Sequence, residues 1–180
     1  NVGQVVAVLA KHHGLRVIGS VGSDEKVDFL LNTIQIDYAF NYKKHGTATE
    51  LEKAAPVELD LVVDGVGGEI LGIAIDKVKS RGCIITLGNL SASSSKKGER
   101  YRLKNVHQLI DKYATLQGYV VFAHVYEYLE FLAQVIPLVG SGKLHVNETI
   151  VEGLESGPKA FIESTQGRFT GKVLLRVAHL

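Results

Sequence analysis

The 180-residue chain carries 20 lysines and arginines against 19 acidic residues, a formal net charge of +1, and is 46% hydrophobic. That balance gives no case for nucleic-acid or membrane-surface binding, and the apolar share suffices for a packed core. The one cysteine, Cys83, excludes an internal disulfide framework and a cysteine-cluster zinc site within this chain; no apolar run reaches the roughly 18 residues that span a bilayer. A helical pattern over 2–12 places Val5, Val6, Leu9 and Ala10 on one side. A buried strand over 16–21 follows, then a helix over 24–31 with Ser23 as N-cap, and a short strand over 38–42. Residues 48–54 read as a short helix and 59–64 (LDLVVD) as a buried strand ended by Gly65-Val66-Gly67-Gly68. A helix over 69–80 leads to a strand over 84–88, and the serine-rich stretch 89–100 is too long for a simple turn. A helix over 106–114, a strand over 116–121 and a long helix over 126–139 complete the alternation. Strand-helix repetition of this kind implies a doubly wound parallel sheet. After Gly140-Ser141-Gly142 the pattern changes to a strand over 145–151, a helix over 157–164 and a strand over 172–177. This β-α-β tail is surplus to one doubly wound domain.

The first 42 residues read as the second half of a glycine-rich dinucleotide fingerprint, then strand, then cationic anchor. Gly3 stands where a helix N-terminus meets a pyrophosphate, where a side chain would block approach to the backbone N–H groups; Ala7 is the small residue suited to helix–sheet packing. The strand and first glycine of such a motif would precede Asn1. At the end of the second strand of an NAD site an acid holds the ribose 2′-hydroxyl; here the position is Gly19-Ser20, which leaves room for a 2′-phosphate. Lys26 is placed to pair with that phosphate and Tyr42 to donate to it. Taken singly, Lys26 reads as a solvated lysine and Tyr42 as a strand-end aromatic; together with Ser20 they favour NADP. Asp64-Gly65-Val66-Gly67-Gly68 ends a strand on the ligand side, either for a close cofactor or simply for a tight turn. Gly88-Asn89-Leu90-Ser91 should lie over the nicotinamide half. Lys96, Lys97 and Arg100 read as a solvated loop. The seven histidines show no metal-ligand spacing, and no nucleophile elbow or phosphate-binding Walker loop is present.

The stretches NVGQVVAVLAK, GSDEKVDFL, FNYK, DGVGGEIL, GCIITLGNLS, LQGYVV, GKLHVNETIVEGLESGPKAFIES and GRFTGKVLLRV, collinear over nearly the whole chain, resemble the medium-chain dehydrogenase/reductase superfamily. Within it the chain is most similar to the zinc-independent 2-alkenal and prostaglandin reductases. The resemblance implies an α/β, Rossmann-type cofactor domain over 1–142 and, over 143–180, a segment of a mostly absent catalytic domain. It implies reduction of an activated carbon–carbon double bond of an enal or enone with NADPH, in a cytoplasmic setting. Asn1, Val2 and Gly3 would touch the pyrophosphate and Lys26 and Tyr42 the 2′-phosphate. Gly65, Gly88, Asn89, Leu90, Ser91, Tyr119, Val120 and Val121 would line the rest of the cofactor, while no catalytic acid is assigned. It further implies a homodimer through the edge strand 116–121, with no metal, and little activity for a polypeptide beginning at Asn1. Three departures stand out: Gly65 and Phe169 where the family often has asparagine, and Ser93 where many members have tyrosine. The rival readings are a quinone reductase or zinc alcohol dehydrogenase of the same superfamily, or a non-catalytic NADP-binding or partner-binding protein.

Overall fold

The computed structural model describes residues 2–93, 100–144 and 147–178. In chain order the elements are α1 (Val2–His12), β1 (Ile18–Val21), α2 (Asp24–Asp28), β2 (Tyr38–Asn41), α3 (Thr47–Ala54), β3 (Leu59–Asp64) and α4 (Gly68–Lys77). They continue as β4 (Val78–Thr86), α5 (Leu90–Ser93), α6 (Gln108–Asp111), β5 (Thr115–Gly118), α7 (Tyr128–Gly140), β6 (Glu148–Glu152), α8 (Gly157–Thr165) and β7 (Lys172–Arg176). Every strand pair is parallel: β1 with β2, β3 with β4 and β4 with β5, and β6 with β7. Parallel pairing with helical crossovers is the α/β class expected from the alternation.

The chain divides into two compact units, residues 1–44 with 129–180, and residues 45–128. In the first, Ala7 and Val8 of α1, Ile34, Ile36, Leu138 of α7 and Leu144 form the core. Helix α1 ends in a Schellman turn: Leu15 N–H donates to the Ala10 carbonyl and Gly14 N–H to that of Lys11, both at 2.9 Å. Gly14 takes the left-handed φ of +73° that this ending requires. Ser23 Oγ caps α2 by accepting from Lys26 N–H at 3.4 Å, as expected. Beyond Asp28 the helix continues as a π turn, Phe29–Thr33. Asp37 staples the unit: one carboxylate oxygen accepts from Lys11 Nζ at 2.8 Å and the other from Val17 N–H at 2.6 Å.

These bonds, the lysine's first, hold the Asp37 carboxyl below its ordinary value of 3.8. A depressed folded value means the stabilisation is present in full above the unfolded value and is lost as pH falls through the folded one. Asp37→Asn should therefore cost about 1 kcal/mol or less near neutrality, because the pair is partly solvated. The difference from wild type should shrink below pH 3.8, as followed by denaturant melts at stepped pH.

In the second unit, Leu71, Ala74, Ile75, Val78 and Ile84 form the core, with Ile75, Val78 and Ile84 fully buried. The helix expected over 69–80 stops at Lys77. Val78 is β-branched, fully buried and paired with Leu59, so packing overrides the helical pattern, and β4 begins directly. A register shift between Leu59 and Leu61 accommodates the join. The helix expected over 106–114 contracts to α6.

The edge strand expected over 116–121 is corrected to Thr115–Gly118. Its partner β4 ends at Thr86, after which Leu87 N–H turns to the Asp64 carbonyl at 2.7 Å. Only Tyr119 N–H still reaches back, to Thr86 O at 2.9 Å. Residues Val121–Glu127 form a 3-10 turn broken at His124, and α7 starts at Tyr128 rather than 126. The strand expected from 145 begins at Glu148; His145 and Val146 lie outside the described residues. Among those residues no helix is long and apolar enough to cross a membrane.

Candidate functional site

The first unit carries Val2, Gly3, Lys26 and Tyr42. Val2 and Gly3 occupy the exposed first turn of α1, and a Cβ built on Gly3 would meet nothing within 4 Å. Asn1 lies outside the described residues. Ser20 is exposed on β1, opposite Phe40 of β2. Lys26 Nζ donates to the Gly167 carbonyl at 2.6 Å, so this ammonium is tied to the turn before β7. Tyr42, exposed past the end of β2, reaches Gly22, whose Cβ position would lie 3.1 Å from the phenol oxygen.

The second unit carries a cleft of about 700 Å³ at the C-terminal ends of its parallel strands, the end where open α/β sheets take ligands. Asp64, buried at the end of β3, braces the turn that brings Gly67 and Gly68 to the cleft's lining. Its Oδ1 accepts from Val66 N–H at 2.9 Å, and its Oδ2 accepts from Gly67 N–H at 3.0 Å. Gly67 has φ +70° and ψ −157°, a region open only to glycine, and a Cβ there would strike Asn89 Oδ1. Gly88 passes within 3.2 Å of the Gly65 carbonyl, measured from its Cβ position. These glycines hold the two strand-end loops against each other.

The cleft gathers Gly88, Asn89, Ser91, Tyr119 and Val120, five of the residues singled out in the sequence. It does not include Gly65, Leu90 or Val121; Leu90 and Val121 are exposed, and Gly65 meets Gly88 through its carbonyl. Ser91 Oγ donates to Asn89 Oδ1 at 3.1 Å. The Tyr119 ring stacks on His124 at 4.5 Å and 15°, and His124 Nδ1 lies 3.1 Å from Glu127 Oε1. Tyr101 and Leu103 also line the cleft, and the sequence pattern gave no sign of them. They follow the serine-rich stretch, where neither spacing nor periodicity marks a residue as facing a cavity. Gly65 has nothing within 4 Å of its Cβ position, so an asparagine side chain would have had space there. Phe169 is half-buried, and the side chain of Ser93 lies outside the described residues. Among those residues no group of three or more histidine, cysteine, aspartate and glutamate side chains is placed to hold a metal ion.

Parallel strands joined by helices, with a glycine-shaped cleft at their C-terminal ends, define a dinucleotide-binding type of α/β domain. The chain belongs to the zinc-binding dehydrogenase family, whose sequence model matches residues 1–135. It is 38% identical over 179 residues to (+)-pulegone reductase of Mentha piperita, covering 99% of this chain and 52% of that protein. It is 35% identical over 178 residues to the NADP(+)-dependent 2-alkenal reductase of Nicotiana tabacum, covering 98% and 51%. Among solved structures it matches CurA of Vibrio vulnificus in complex with NADPH, at a TM-score of 0.89 and 30% identity over 99% of this chain and 54% of that one. The chain thus spans about half the length of the curated relatives it matches. The resemblance to NADP-dependent medium-chain dehydrogenase/reductases, and the Rossmann-type fold it implies, are borne out.

Proposed function

We propose that this chain is the cofactor-binding part of an oxidoreductase that reduces the activated carbon–carbon double bond of an enal or enone with NADPH. The observation that carries the reading is the strand-end cleft, with Gly88, Asn89 and Ser91 on one wall and Tyr119 and Val120 on another. Its backbone is brought close by glycines and it is large enough for a nicotinamide ribose and a small acceptor. Two relatives, named as a (+)-pulegone reductase and a 2-alkenal reductase, support the choice of an enone or enal substrate. When bound, the cofactor supplies a hydride for the acceptor's β-carbon. The chain's own part is positioning: Val2 and Gly3 receive the pyrophosphate at the start of α1, Lys26 and Tyr42 the 2′-phosphate, and Gly65 leaves space beside the cofactor. Gly88, Asn89, Ser91, Tyr119 and Val120 hold the nicotinamide end in the cleft, with Leu90 and Val121 exposed beside it. Residues 1–142 form the cofactor domain in this reading and 143–180 belong with the catalytic domain. The free Cys83 thiol suits a reducing, cytoplasmic setting.

A titration of the full-length protein with NADPH and NADH, followed by enal-dependent NADPH oxidation, tests the reading. NADPH should bind at least tenfold tighter and an enal should be turned over. Turnover of a quinone with none of the enal would favour a quinone reductase, and absence of NADPH binding would overturn the reading. Among the described residues strand β5 lies at the edge of its three-stranded sheet. This supports a homodimer built across that edge with an isologous interface. Sedimentation at micromolar concentration should give the mass of two chains; a monomer mass would contradict it.

A further inference from the structure

One wall of the strand-end cleft rests on two glycines of α4. Gly72 lies inside the helix, where glycine is less favourable than alanine and calls for a packing reason. A Cβ there would stand 3.3 Å from the Tyr101 hydroxyl oxygen, 3.7 Å from Tyr101 Cε1 and 3.8 Å from Leu103 Cδ2. A Cβ on Gly68, one turn earlier, would lie 3.8 Å from Tyr101 Cβ and 2.7 Å from Ser91 Oγ. The Tyr101 side chain therefore lies along α4 from Gly68 to Gly72. The segment behind it is fixed. Leu103 packs on the core of the second unit, and Asn105 Nδ2 donates to the Gly72 carbonyl at 2.8 Å and to Asp76 Oδ1 at 2.7 Å. Tyr101 is half exposed and lines the cleft together with Leu71 and Leu103.

We propose that Tyr101 is a specificity-determining residue for the acceptor: its ring is the wall on which the apolar chain of a 2-alkenal lies, and Gly72 sets how far that wall stands back. The inference rests on the proposed reading as an enal or enone reductase and deepens it by naming the acceptor class, a straight-chain 2-alkenal with an apolar tail. In that reading Gly88, Asn89, Ser91, Tyr119 and Val120 hold the nicotinamide end, and Leu71, Tyr101 and Leu103 line the same cleft beside them. These three side chains offer mainly carbon surface, and a hydrocarbon chain laid on it leaves water. The tyrosine ring is flat and has few rotatable bonds, so it ranks an acceptor by the length of chain that covers it. A methyl group on Gly72 would press the ring off α4 and narrow the cleft.

The test is steady-state kinetics of the full-length protein, as wild type, Tyr101→Phe, Tyr101→Ala, Gly72→Ala and the Gly72→Ala, Tyr101→Ala double variant, with NADPH and a short-chain or a long-chain 2-alkenal. Thermal melts confirm that each variant is folded. Tyr101→Ala should lower kcat/KM for the long-chain aldehyde by about tenfold, chiefly through KM, the scale of about two chain methylenes left uncovered. The short-chain value and the NADPH dissociation constant should stay close to wild type. Tyr101→Phe keeps the ring and should match wild type. Gly72→Ala should also lower the long-to-short ratio, and that effect should vanish in the double variant, where the displaced ring is gone. An unchanged ratio in Tyr101→Ala, or an equal loss for both aldehydes, would overturn the inference and leave the reductase reading intact. A loss in Tyr101→Phe as large as in Tyr101→Ala would overturn it too, by moving the role from the ring to the hydroxyl. A Gly72→Ala effect that persists in the double variant would overturn the part given to Gly72. Turnover of neither aldehyde by the wild type would remove the reading beneath the inference as well.

Discussion

Asp64→Ala is expected to destabilise the protein by about 3 kcal/mol and to weaken NADPH binding tenfold or more. The carboxylate is 4% exposed and accepts from two backbone N–H groups that have turned away from the β3 ladder. A hydrogen bond to a charged group contributes roughly 1.5–3 kcal/mol, and removing the acceptor leaves buried donors unpaired. Val66 and Gly67 would be freed together, and with them the loop that presses against Asn89. Asp64→Asn keeps an acceptor for Val66 and should lose less than half as much. Denaturant melts measure the first effect and cofactor titration the second. A melt within error of wild type for the alanine variant would show that the turn holds itself by other means.

Ile75→Ala should cost about 2–5 kcal/mol, the range for emptying a fully packed aliphatic site. Ile75 is 0% exposed at the centre of a core that includes Leu71, Val78 and Ile84. Those neighbours sit on one helix and one strand whose backbones are pinned by the β3–β4 ladder, so the cavity has little room to collapse. Val57→Ala, at a side chain 80% exposed, is the control and should change nothing measurable. A loss below 1 kcal/mol at Ile75 would indicate that the second unit's core is loosely packed. Cofactor affinity should fall with the folded fraction in this variant, whereas in Asp64→Ala it should fall within the folded protein.

Much of this was legible from period and punctuation. The run Leu59–Asp64 is bounded by a proline-containing loop and a glycine cluster, and its strand has the bounds the sequence implies. Ser23 announces the cap of α2, and the glycines after β3 and β4 mark the cleft's two loops. What failed did so for tertiary reasons. Val78 continues the helical pattern of α4, yet a fully buried pairing with Leu59 claims it for β4. Tyr119, Val120 and Val121 look like strand, but β5 ends at Gly118, where β4 ends opposite it at Thr86. Tyr101 reaches the cleft wall from beyond the serine-rich segment, a placement no local pattern encodes.

The most direct test follows the label. The full-length protein is incubated with a 2-alkenal and NADPH carrying deuterium at both positions of nicotinamide C4, and the product is analysed by mass spectrometry and NMR. The expected product is a saturated aldehyde with one deuterium on the former β-carbon and a solvent proton on the α-carbon. An allylic alcohol labelled at the carbonyl carbon, or no NADPH-dependent product at all, would contradict it.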